Sequence, residues 1–254
     1  MQQPATIAQP DPKADRSATL ILTALDREAL YTVAGIKPMS TGFWTGRFAV
    51  DNATQESLDE VRRVRRSLRD MCSWPLYSDV MSFATAWDGQ RSMEAYVVHV
   101  PLLGETIARY DIFAKHGLTS CSHPAEVLAV VERMPRADRF AAYGHLFGYP
   151  DHAVQFFVQA DEQAQALPVG PEGKREIVPR DFFAIPTFSG ATGRFTFAVP
   201  KGHVALPEDK ALRSASERVL LFYRERRAKF VSTEQPSNTD ALRLLDAMKD
   251  AHTR

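Results

Sequence analysis

Gly148-Tyr149-Pro150 cuts the middle of this 254-residue chain in two, and no single helix runs through it. Gly148 suits the left-handed residue just past a helix end, where a Cβ is costly. Pro150 has no N–H to offer and suits the first position of a following helix. Before the break, Phe140, Tyr143, Leu146 and Phe147 recur at helical spacing; after it, Val154, Phe157 and Val158 do the same. Arg139 to Val158 is therefore expected to form two helices that meet at a corner and bury their aromatics. Gly144 and Gly148, four apart, would let a neighbouring element approach this corner closely.

The strongest strand signal lies upstream. Met81, Phe83, Thr85 and Trp87 alternate, Asp88-Gly89 follows, and Tyr96, Val98 and Val100 alternate on the return. Asp-Gly between such runs marks a hairpin, because both residues tolerate positive φ. A second strand pair is expected at 182–187 and 195–199, with Pro186 at a strand end or edge. Helical patterns occupy 17–33, 51–71, 103–117, 124–134, 207–229 and 242–248, besides the central pair. The segment at 37–47, KPMSTGFWTGR, reads as a loop in which Gly42 and Gly46 bracket Phe43 and Trp44; such aromatics fold back on the core or line a pocket.

The expected fold is α+β: antiparallel strands from two hairpins, packed against about seven helices. Residues 1–16, rich in Pro, Gln and Ala, read as a disordered arm before a single domain at 17–254; the alternative is a split near 167.

Composition narrows the function classes. Lys plus Arg and Asp plus Glu both number 31, so broad attraction to nucleic acid or an anionic membrane is not expected. Arg62, Arg63, Arg65, Arg66 and Arg69 crowd one helix, but Asp59, Glu60 and Asp70 accompany them; a solvated, partly paired face is the expectation. Two cysteines, Cys72 and Cys121, exclude a disulfide scaffold and a thiolate zinc site. One bridge between them would need an oxidising compartment; two idle thiols are the simpler reading. The first residues lack the apolar core of a signal peptide, which favours a cytoplasmic protein, the alternative being an exported one whose signal is absent from this chain.

No dinucleotide fingerprint, phosphate loop or nucleophile elbow is present, and no cofactor is expected. The seven histidines show no HxH or HExxH spacing, so no metal site is expected; His145 and His152 would converge only across a tightly folded corner. Cys121 and His123 form a local pair before a helix, without a third orienting group. Arg180, Arg194, Lys201 and His203 stand at ends or turns of the second strand pair, where guanidinium forks suit carboxylate or phosphate oxygens. Asp181, Glu208 and Asp209 are near enough in sequence to pair with them instead. The leading expectation is a binding protein that holds a small polar or anionic molecule in a helix–sheet cleft, using these four residues with His145 and Trp44. The alternatives are a hydrolase with His145 or His203 as general base, and an interaction module presenting the arginine-bearing helices. Oligomeric state is not legible.

Overall fold

The computed structural model describes residues 12–51, 53–168, 177–190, 195–231, 236–249 and 251. It opens with helices α1 (Pro12–Asp26) and α2 (Ala29–Val33), then β1 (Met39–Ala49), α3 (Gln55–Arg69) and a hairpin of β2 (Leu76–Trp87) and β3 (Gln90–His99). Five helices follow: α4 (Val100–Arg109), α5 (Asp111–Lys115), α6 (Pro124–Val131), α7 (Arg136–Leu146) and α8 (Asp151–Ala166). The second pair, β4 (Arg180–Ile185) and β5 (Phe195–Pro200), precedes α9 (Pro207–Phe230) and α10 (Asn238–Lys249). The class is α+β, with ten helices and two antiparallel sheets among the described residues. Short helices such as α2 and α5 carry the number past the seven or so that long periodic runs reveal. Of the arm expected at 1–16, residues 1–11 lie outside the described residues, and residues 12–16 belong to α1.

The hairpin forms as its sequence requires: Asp88 and Gly89 take φ of 51° and 67° at the tip. The correction concerns residues 37–47. Met39–Ala49 is a strand, β1, antiparallel to β3, so the sheet has three strands in the order β1-β3-β2. The glycines hid it. Gly42 has φ of +77° inside an irregularity where register slips between Thr41 and Thr45, breaking the alternation that identifies a strand. A matching slip lies across the sheet, between Ser82 and Ala86 of β2.

β3 is the central strand, and its second half, Ala95 to His99, is buried. Ala95 and Val97 join one core with α1, α2, α3, α9 and α10; Tyr96 and Val98 join a second core with α4 to α7. Period-two alternation thus divides one strand between two helical layers. The smaller sheet belongs to the first core through Ile185, Phe195, Phe197 and Val199. Tyr31 ties it down by donating its hydroxyl hydrogen to the Pro186 carbonyl. Arg227 of α9 grips Asp26 through two bonds of 2.8 and 3.0 Å, which gives part of that helix's basic end a structural role. On α3, Arg62, Arg63 and Arg65 pair with Asp59, Glu60 and Asp79, as a solvated, partly paired face should. No helix of the described residues is long and apolar enough to cross a membrane.

The corner between α7 and α8 forms as the glycine and proline dictate. Gly148 has φ of +70°, and Tyr149 N–H closes the turn on the Gly144 carbonyl at 3.0 Å. Pro150 caps α8 one residue before its first turn. Both glycines are contact points: a Cβ on Gly144 would meet Val154 Cγ2 at 2.7 Å, and one on Gly148 would meet Lys37 Cβ at 2.6 Å.

These contacts separate two costs. Gly117→Ala introduces only the left-handed penalty, since φ is +78° and nothing lies within 4 Å of the new Cβ; about 1–2 kcal/mol is expected. Gly148→Ala adds a backbone-adjacent overlap with Lys37, worth roughly 1–3 kcal/mol more. Denaturant midpoints of the two variants should rank in that order, and equal midpoints would show that the Lys37 contact carries no strain.

A cleft at the helix corner

Three segments meet where the corner opens outward: the α4–α5 junction, the α7–α8 corner and the start of α9. Tyr110 occupies the junction, extended at φ −114°, because α4 ends and α5 begins on it. Its hydroxyl donates to Asp151 Oδ1 at 2.6 Å, and its ring stacks on His145, with centroids 3.6 Å apart at 16°. Arg109 donates to the other oxygen of Asp151 at 3.5 Å. His145 Nδ1 stands 3.8 Å from Asp151 Oδ1, beyond hydrogen-bond reach, and this nitrogen is buried without a partner.

Electrostatics follow from the burial. Desolvation lowers the His145 pKa below that of a free imidazole; Asp151 opposes this and Arg109 reinforces it, so the ring is neutral at pH 7. Burial first, then the Asp151 carboxylate, push the Tyr110 phenol up to about 12. The cleft between these groups has a volume of about 380 Å³, within the roughly 300–1,000 Å³ usual for small-molecule sites. Its polar lining includes Glu105, Arg109, Tyr110, His145, Asp151 and Glu208; Ile36, Tyr149 and Leu212 supply apolar wall.

A second polar cluster adjoins it through Glu208. His152, in the first turn of α8, donates from Nδ1 to Glu208 Oε1 at 2.5 Å. His203 Nε2 lies 2.8 Å from Asp209 Oδ2, which also accepts from Leu206 N–H at 2.9 Å and so caps α9. The His152 and His203 rings are nearly parallel, 5.2 Å apart.

The residues singled out from sequence fall into separate places. His145 lines the cleft. His203 faces Asp209, paired with one of the acids expected to compete for it. Arg180 donates to the Val178 carbonyl and lies over the Phe157 ring at 5.9 Å. Lys201 is exposed in the turn after β5. Arg194 lies outside the described residues. Trp44 packs over Gly46 and lines two clefts against α3, which share no lining residue with that of Tyr110. The His145–His152 convergence does not form: His145 turns to Tyr110, His152 to Glu208 and Asp209. Where no metal ligands were expected, His152, His203 and Asp209 gather within 4.8 Å. His123 Nδ1 caps α6 by accepting from Ala125 N–H, and both cysteines are free thiols.

Tyr110, Asp151 and Asp209 were missed as site residues. They come from helix starts and junctions separated by many residues, so no local spacing marks them. One signal was present: Leu206-Pro207-Glu208-Asp209 is a helix opening whose third residue is a capping acid.

Fold and cleft together define an α+β protein with an acidic, aromatic-walled cleft at a helix corner. No protein-family model matches the chain, and neither does any curated protein or solved structure.

The neutral state of His145 has a measurable consequence. The unfolded chain takes up a proton there near pH 6.5, about the free value, which the folded chain refuses until lower pH. The contribution of His145 to stability therefore falls as pH drops from about 6.5 toward its lowered folded pKa. His145→Gln should unfold at a midpoint that changes less than the parent's does between about pH 7.5 and about pH 5, on either side of the free imidazole pKa of about 6.5. Parallel profiles would mean that His145 is not held neutral.

Proposed function

We propose that the protein binds a small organic cation, an amine or guanidinium with hydroxyl or amide groups, in the corner cleft. The observation that carries this is the charge of the lining. Glu105, Asp151 and Glu208 bring three carboxylates, whereas Arg109 brings one cation already engaged with Asp151. His145 adds no charge at pH 7. An excess of negative charge in a concave, partly apolar site raises the local concentration of cations. The small polar ligand expected from sequence is kept; the anionic alternative has less support, since of the basic residues that suggested it His203 faces Asp209, Arg180 lies over Phe157 and Lys201 is exposed.

Asp151 is the anchor in this reading. Tyr110 and Arg109 hold its two oxygens, so the carboxylate is oriented before a ligand arrives. Glu105 stands beside it, exposed, and Glu208 reaches the same lining while one of its oxygens holds His152. A second reading has a specific observation behind it: His145 is a neutral imidazole that lines the cleft, and its buried Nδ1 has no hydrogen-bond partner, so the ring keeps a free site for general-base work. In that case the bound cation is a hydrolase substrate.

A thermal-shift panel of small amines, guanidines, carboxylates and phosphates tests the proposal. Amines or guanidines should raise the melting temperature, and the shift should shrink with salt, since screening acts over about 10 Å at 0.1 M. Asp151→Asn should weaken binding roughly tenfold or more, the loss of one charge-assisted bond. A panel in which only anions stabilise, or a cation whose affinity ignores Asp151→Asn and Glu105→Gln, would overturn it. Turnover of a cationic ester by the parent but not by His145→Gln would select the hydrolase reading.

A further inference from the structure

We infer that His152, His203 and Asp209 form a binding site for a divalent first-row transition metal ion, of the zinc type. The three donors come from three elements: the first turn of α8, the segment between β5 and α9, and the third residue of α9. Two imidazoles and one carboxylate with further positions open is a donor set suited to such ions rather than to magnesium or calcium.

The hydrogen-bond pattern leaves a gap that a cation fills. Asp209 is fully buried, and its Oδ2 has two donors, Leu206 N–H and the His203 ring. That oxygen is explained by helix capping. Its other oxygen, Oδ1, is buried without a hydrogen-bond partner. Facing it at 3.4 Å is His152 Nε2, likewise buried and unpartnered. Glu208 takes the far side of the same ring at 2.5 Å. An ionised carboxylate accepts only, so Nδ1 carries the hydrogen that joins them. In the neutral ring Nε2 is then a lone pair, 3.4 Å from Asp209 Oδ1. Two acceptors in a buried site do not face one another without positive charge between them.

The separation suits a metal. Two donors each about 2.0–2.1 Å from a tetrahedral ion stand about 3.3 Å apart, close to the 3.4 Å observed between His152 Nε2 and Asp209 Oδ1. His203 reaches the same carboxylate, and all three donor atoms lie within 4.8 Å of one another. On metal binding the His203 ring moves its hydrogen from Nε2 to Nδ1, freeing Nε2 to coordinate, and the ring stays neutral. Glu208 completes the arrangement as an outer carboxylate, which fixes the His152 tautomer and raises its basicity. The two histidine side chains are 20% and 10% exposed, so an ion can enter without unfolding the site. The alternative occupant of the gap is a second proton on His152.

Zinc titration of the chelator-treated full chain, followed by calorimetry, tests this without any ligand in the corner cleft. One zinc ion per chain is expected, with a rise in melting temperature. Cobalt should give the intense visible bands of a four-coordinate site. His152→Gln and His203→Gln should each abolish tight binding. Glu208→Gln, one shell out, should weaken it about 10- to 100-fold. His116→Gln, whose ring pairs with Asp138 elsewhere, should change nothing. Asp209→Asn can also loosen the α9 cap, so it is read only beside a circular dichroism spectrum. No zinc binding at about 0.1 mM, binding indifferent to both histidine variants, or nitrogen-15 spectra showing His152 doubly protonated and unmoved by zinc would each overturn the inference.

Discussion

A buried lysine sets the terms for the middle of this protein. Lys37 is fully inaccessible, its Nζ donating to Glu28 Oε2 at 2.8 Å. Stripping an amine of water costs several kcal/mol, on the order of the effective penalty for a buried ion. Burial lowers its pKa, with Glu28 pulling the other way. The remaining compensation is aromatic: the Phe195 ring centroid lies 4.3 Å from Nζ and that of Phe147 5.8 Å away. Four regions therefore depend on one side chain: the α1–α2 segment through Glu28, the α7–α8 corner through Phe147, β5 through Phe195, and the entry to β1 through Lys37 itself. Gly148 belongs to the same constraint, because the lysine stem fills the space its Cβ would need. The next residue, Pro38, accepts from His99 N–H at 2.8 Å and thereby joins this knot to the end of β3. Pro38 and Gly148 also line the corner cleft, so the shape of the site inherits the fit around the lysine.

What the sequence revealed and concealed divides along physical lines. Features governed by one residue's backbone were legible: the left-handed Gly148, the Asp88-Gly89 hairpin tip, the strand ending at Pro186. Features that depend on partners far along the chain were not. β1 was read as a loop because Gly42 interrupts its alternation; its strand character comes from pairing with β3, some fifty residues later. The site shows the same division. His145 was identified as a residue of interest, but its stacking on Tyr110 and its approach to Asp151 required the fold. His203 was singled out as a ligand contact or a general base, but its pairing with Asp209 required the fold. Seven residues' spacing between His145 and His152 gave no hint that the two rings serve different clusters.

Three of the acids in this region, Asp151, Glu208 and Asp209, share a position that makes their density tolerable. Asp151 is the first residue of α8; Glu208 and Asp209 are in the first turn of α9. Unpaired backbone N–H groups give each helix start about half a positive charge, which stabilises carboxylates there by roughly 0.3–1 kcal/mol apiece. Two helix starts pointing into one region thus supply fixed positive potential beneath several ionised groups. The lining can stay negative toward a ligand while its own repulsion is relieved from behind, without a basic side chain for every acid.

The paired slips in β1 and β2 divide the main sheet across its width. On the inner side, β3 runs buried from Ala95 to His99; beyond the slips, residues 84–90 of the hairpin are exposed and Trp87 is 84% accessible. The two halves share continuous strands but not a common cost of opening, since only the inner half is clamped between helical layers. The outer hairpin can therefore fray and re-form while the central strand stays closed. Amide exchange along β2 and β3 would show this as a step at the slips, with the tip exchanging through small local openings and the inner half only through disruption of both cores.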